Sequence, residues 1–156
     1  MLLDIRTTFL LIGLLYVLLP ITVYLLLKEN RKSAVKLWCA GGLVVGVGMI
    51  VLGMRPMLEA HHASGFLIYT VGNAMLVAGY TMRVQSLRID IHKPISNYLW
   101  MGFIFAFIAL FEVARSDIGS TTFRIVAAYS WVGIITFFLA STAYQYEQKF
   151  AVAPMR

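Results

Sequence analysis

Apolar runs separated by short polar connectors dominate the chain. Five runs, at 7–27, 37–54, 66–82, 98–114 and 122–146, have the length a bilayer crossing takes, roughly 20 residues of helix. The middle three are short, so their ends extend into flanking residues. No connector is long enough to fold by itself. The pattern predicts an all-α membrane protein, a five-transmembrane-helix antiparallel bundle forming a single integral membrane domain over 1–156.

The connectors predict an orientation. The first holds Lys28, Arg31, Lys32 and Lys36, the third holds Arg83, Arg88 and Lys93, and the tail holds Lys149 and Arg156. Those are nine of the thirteen basic residues; Arg6, Arg55, Arg115 and Arg124 fall on the other side. Cytoplasmic loops carry the excess of Lys and Arg, which places the N-terminus outside and the C-terminus in the cytoplasm. Trp38, Tyr98, Trp100, Tyr144 and Tyr146 cluster near the inner interface, where amphipathic rings settle.

Composition supports the membrane reading. Hydrophobic residues make up 60% and charged residues 13%, with mean hydropathy +0.81. A soluble domain is nearer half apolar and a quarter charged. The net charge of +6 is dispersed between spans, which argues against nucleic acid as a partner. The single Cys39 excludes an intramolecular disulfide, and its apolar setting makes it an inert thiol. The start, "MLLDIRTTFLL", lacks a basic n-region and a small-residue cleavage site, so it reads as a retained span.

Residues 41–53 read "GGLVVGVGMIVLG". A phosphate-binding glycine loop needs a strand before it and a helix N-terminus after it, and here the glycines lie inside an apolar span. At about 100° per residue, Gly42, Gly46 and Gly53 share one face, and Gly41 and Gly48 share another. Small residues in a stripe let a neighbouring helix approach closely. Gly65, Gly72 and Gly79, spaced by sevens, form a matching stripe on the third span. The second and third spans are therefore expected to pack on each other, leaving the second span's other stripe for another helix or a partner.

Few polar residues enter the spans. Asn73, near the middle of the third, is expected to bond to a neighbouring helix and fix register, with a ligand pocket as the alternative. Glu112 lies near the outer end of the fourth, one turn from Arg115. A membrane-embedded acid is a candidate for proton relay or sensing; an ion pair with Arg115 or Arg124 is the structural reading. His61 and His62 form, with Glu59, a weak metal candidate, since adjacent helical side chains diverge by about 100°. The remaining histidine, His92, lies in a connector, so no pair of imidazoles spans a haem. Pro20 interrupts the first span and kinks it. No catalytic constellation, metal motif or cofactor motif is evident, and the expectation is a protein that is not an enzyme.

Several strings resemble a known pattern when taken in order: "DIRT" from Asp4, "KLWCAGG" from Lys36, "GNAMLVAG" from Gly72 and "FEVARSDIGSTTFRI" with Arg124. Together they are similar to the multi-span N-terminal sensory region of bacterial GGDEF-type diguanylate cyclases. The resemblance covers nearly the whole chain but includes no GGDEF signature, so no cyclase residue carries over. It implies a signal-input module in a bacterial inner membrane, here without its output domain, whose partners are the lipid bilayer and other membrane proteins. The alternative is an accessory structural subunit of a large membrane complex of photosynthetic or respiratory type. A small transporter is disfavoured by the lack of paired broken helices.

Overall fold

The computed structural model describes residues 4–27, 32–62, 64–116 and 121–151, which are helical with short connectors and contain no strand. The helices are α1 (Ile5–Leu26), α2 (Ser33–Gly53), a short α3 (Arg55–Ala60), α4 (Gly72–Asp90), α5 (Asn97–Ser116) and α6 (Thr121–Ala151). A π-helical segment, Phe66–Val71, runs directly into α4. Among the described residues, four segments are long and apolar enough to cross a membrane: Ile5–Leu26, Ser33–Gly53, Asn97–Arg115 and Thr122–Gln148.

The third apolar run does not end at residue 82. Its helix continues through Arg83 and Arg88 to Asp90, so both arginines are helical rather than part of the connector. Arg, Gln and Leu are good helix formers, and nothing in "RVQSLRID" interrupts the backbone. The helix stops at Ile91, where His92 takes a left-handed φ of 60° and Pro94 follows. Such a left-handed residue commonly closes a helix. With polar residues throughout its second half, α4 is the least apolar of the long helices.

Two chemically different seams meet on α4. On one side α2 lies between α1 and α4 and uses both glycine faces. Gly41 and Gly48 abut the backbone of Gly79 and Gly72 on α4, and a Cβ at Gly48 would stand 2.9 Å from the Gly72 carbonyl oxygen. Gly42, Gly46 and Gly53 face Pro20, Val17 and Leu10 of α1. On the other side, α5 and α6 pack on α4 through aromatic rings. Phe107 and Phe111 stand 5.4 Å apart, and Trp131 lies 4.9 Å from Phe103 and 5.7 Å from Phe107. Ala74, Val77 and Val84 of α4 complete that core with Ile135 of α6.

Gly65 departs from the expected stripe. A Cβ there would meet the Arg115 guanidinium of α5 at 3.0 Å, not α2. The π-helical segment between Gly65 and Gly72 explains this. Each inserted residue turns the preceding face by about 100°, so a spacing of seven across that segment no longer means one side.

Candidate functional site

The polar groups of the bundle gather at three places, each reached through the π segment or α4. The first is at the end where α2 finishes and α3 begins. The π turn buries the Thr70 hydroxyl, which donates to Glu112 Oε2 of α5 at 2.5 Å. The same carboxylate pairs with Arg115, whose Nε lies 3.1 and 3.0 Å from the two oxygens and whose Nη2 also bonds Oε1. The Thr70 hydroxyl thus ties the π segment to an ion pair formed within α5. Charge-assisted bonds of this kind are stronger than neutral ones.

Asn73 contributes differently from the expectation. Its side-chain amide donates to the Tyr69 carbonyl of its own helix at 2.8 Å. In π geometry the backbone N–H of residue i+4 no longer serves that carbonyl. The Tyr69 carbonyl still accepts from the backbone N–H of Gly72, so the Asn73 amide adds a second bond within its own helix and braces the π turn rather than clasping another helix.

The second cluster borders the first, with Arg55 and Glu59 on the short α3 outside the apolar helices. Tyr69 Oη donates to Glu59 Oε1 at 2.6 Å, and Arg55 Nε bonds the same oxygen at 3.0 Å. The hydroxyl, followed by the guanidinium, holds the Glu59 carboxyl below its ordinary range. The guanidinium of Arg55 lies 4.7 Å from the Tyr69 ring centroid and that of Arg124 lies 5.6 Å away. With Glu59 bound there, His61 and His62 lack a third ligand. Among the described residues no group of three metal-ligating side chains forms, and both imidazoles are exposed. His62 closes α3 with a φ of 56°, a backbone role.

The third place is the opposite half of α4. Gln85 holds the turn into α5 with three bonds: its Nε2 donates to the Ile95 carbonyl at 2.7 Å, and its Oε1 accepts from Ile95 N at 3.1 Å and Trp100 Nε1 at 2.9 Å. Two residues earlier, Arg83 crosses the glycine face of α2. A Cβ at Gly41 would lie 3.2 Å from Arg83 Cγ, and one at Gly42 would lie 2.7 Å from its Nη2. The guanidinium carbon ends 4.8 Å from the Tyr16 ring centroid and 4.7 Å from that of Trp38. The hydroxyls of Tyr16 and Tyr80 meet alongside at 3.4 Å.

The structure therefore unites Glu112 with Arg115 and places Arg124 over the neighbouring Tyr69. It adds Thr70, Tyr69, Gln85 and Arg83, none of them singled out as a site in the sequence. The available signal was a run of polar residues, Thr81, Arg83, Gln85 and Ser86, adjoining an apolar span. No protein-family model matches the chain, and neither a curated protein nor a solved structure does.

Proposed function

We propose that the chain crosses a bacterial inner membrane five times, N-terminus outside and C-terminus in the cytoplasm, with the helix from Phe66 to Asp90 as its third crossing. In this reading it is a non-catalytic signal-input module that acts on other membrane proteins through lateral helix contacts. One observation carries it: the polar central helix is tied to α5 through a π turn, by Thr70 on the Glu112–Arg115 pair. A signal-input element needs two arrangements of similar energy. Reversion of a π turn to α geometry rotates everything before it by about 100°, and the same ion pair biases that choice. Polar pairs at membrane depth mark functional sites.

The test is deletion of the chain in a native host, with cyclic di-GMP measured under several stimuli. Altered levels, restored by the wild type and not by Thr70→Val, support the reading. Unchanged levels throughout contradict it.

The aromatic outer faces of α5 and α6 favour a second reading, that of an accessory subunit in a larger membrane complex. Tyr98, Phe105, Tyr129, Phe137 and Tyr144 are exposed there, and aromatic residues are enriched where proteins meet. Native pull-down in mild detergent separates the two. Stoichiometric recovery with one large complex favours the accessory subunit; recovery as a free monomer or homodimer opposes it.

A further inference from the structure

We propose that Arg83, Tyr16 and Trp38 form a binding site inside the membrane for the oxyanion of an amphiphile, a phosphate or a carboxylate. The inference rests on the five-crossing reading and names a ligand class for a part of the bundle that reading leaves unexplained.

Depth comes first. The guanidinium lies against Gly42, nine residues beyond the first residue of α2. At 1.5 Å per residue that is about 14 Å along the helix. Helical side chains lean toward the N-terminus of their own helix. For Arg83 that direction is away from the near end of α4 at Asp90. The side chain therefore reaches inward, whereas an arginine serving only as an interface anchor would extend toward water.

The glycine pair makes this path possible. Gly41 leaves room for the Arg83 stem and Gly42 leaves room for Nη2. Any side chain at Gly42 would also collide with Pro20. The sequence thus opens a passage through which a cation of α4 crosses α2 and meets a ring of α1.

Charge balance points to the ligand. Among the described residues no carboxylate pairs with Arg83, and its Nε is buried without a hydrogen-bond partner. Asp90, on the same face of α4, is two turns away, about 10 Å along the axis. Contacts with Tyr16 and Trp38 offset part of the desolvation of the cation, and Trp is the better ring for this. The ring faces accept no in-plane hydrogen bond, and Nε is left without one. A planar fork of N–H donors matches a carboxylate or phosphate, and a charge at this depth is retained where it has a partner.

A cavity adjoins the site at Trp38. It measures about 240 Å³ and opens between α1 and α4 on the surface of α2, lined by Val23, Ala34, Trp38, Leu87 and Asp90 among others. Trp38 belongs both to this cavity and to the Arg83 cradle.

Native mass spectrometry of the full chain in detergent tests the proposal, with phosphatidylglycerol, oleate, phosphatidylcholine and inorganic phosphate as probes. Phosphatidylglycerol or oleate is expected to bind at least tenfold better than phosphatidylcholine. Arg83→Gln should abolish that preference, and Lys93→Gln, an exposed cation at the same end, should preserve it. Displacement of the amphiphile by millimolar phosphate would assign the site to a free anion; resistance to displacement assigns it to a head group. A wild type without preference for any anionic probe, or an Arg83→Gln variant that keeps the preference, overturns the proposal. If Arg83→Gln fails to fold, Arg83→Lys keeps the charge and loses the fork. Severalfold weaker binding then supports the site, and unchanged binding overturns it. Alkaline extraction of membranes isolates the underlying reading: a chain that leaves the membrane fails the five-crossing account whatever it binds.

Discussion

A methyl group on Gly41 would stand 2.6 Å from the Gly79 carbonyl oxygen, and one on Gly79 would stand 2.5 Å from that of Gly41. The two helices touch backbone to backbone at this point. Side-chain adjustment cannot relieve such a contact, because the atoms in the way are main chain. In a membrane, where lipid tails are as apolar as Leu, close approach of this kind is a principal source of helix association.

Gly79→Ala should therefore destabilise the bundle. Overpacking costs about 1–3 kcal/mol, which exceeds the helix-propensity gain of about 1 kcal/mol for replacing Gly. Gly102→Ala, where the new Cβ meets nothing within 4 Å, keeps only the gain. Thermal melts in detergent should show a lowered midpoint for the first and an equal or raised one for the second.

Gly46→Leu examines the other seam. Its Cβ alone would lie 2.6 Å from Val17 Cγ2 and 2.8 Å from the Gly13 carbonyl oxygen. The expected outcome is separation of α1 from α2, seen as faster proteolysis near residue 30. Normal insertion with wild-type protease resistance would contradict that packing.

The Glu112–Arg115 pair should show coupling in a double-mutant cycle. Glu112→Gln and Arg115→Gln, singly and together, are expected to give an interaction energy of about 1–2 kcal/mol. Both side chains are about a third exposed, and pairs open to water contribute less. Melts in detergent and in lipid should differ accordingly, with the larger coupling in lipid.

Stability should also fall at acid pH through Glu59. Its carboxyl is held below the ordinary range by Tyr69 and then by Arg55, so its folded value lies below its unfolded one. The contribution is complete above about pH 4.3, the ordinary glutamate value, and is lost as pH falls through the folded value. A melt series from pH 6 to pH 3 should decline less steeply for Glu59→Gln than for the wild type. Identical slopes would show that the bonds to Glu59 do not survive in solution.

Loss of the three bonds at Gln85 should loosen the turn between α4 and α5. Gln85→Leu leaves Trp100 Nε1 and both backbone groups of Ile95 without these partners, at about 1–3 kcal/mol for a buried group left unpaired. Hydrogen exchange at Ile95 should accelerate relative to exchange at the middle of α5.

Four helices were legible because apolar runs bounded by charges leave few alternatives in a bilayer. The glycine faces of α2 were legible too, because regular helical spacing sorts them. Three features were not. The π turn has no sequence spacing of its own, so it hid the separation of Gly65 from Gly72 and Gly79. Arg83 carries the charge of a connector, and only the passage past Gly41 and Gly42 shows that it lies among helices. Asn73 offered a donor to any carbonyl nearby, and its side chain reaches the Tyr69 carbonyl of its own helix at the end of the π turn. Each depends on which groups face each other across helices, a relation that periodicity within one helix does not encode.

The polar helix from Phe66 to Asp90 is proposed as the third of five membrane crossings. Single cysteines at Ser64 and Ser96, in a background lacking Cys39, test it by labelling intact cells with a membrane-impermeant maleimide. The account predicts labelling at residue 64 from outside and at residue 96 only after the membrane is opened. Labelling of both positions from the same side would contradict it.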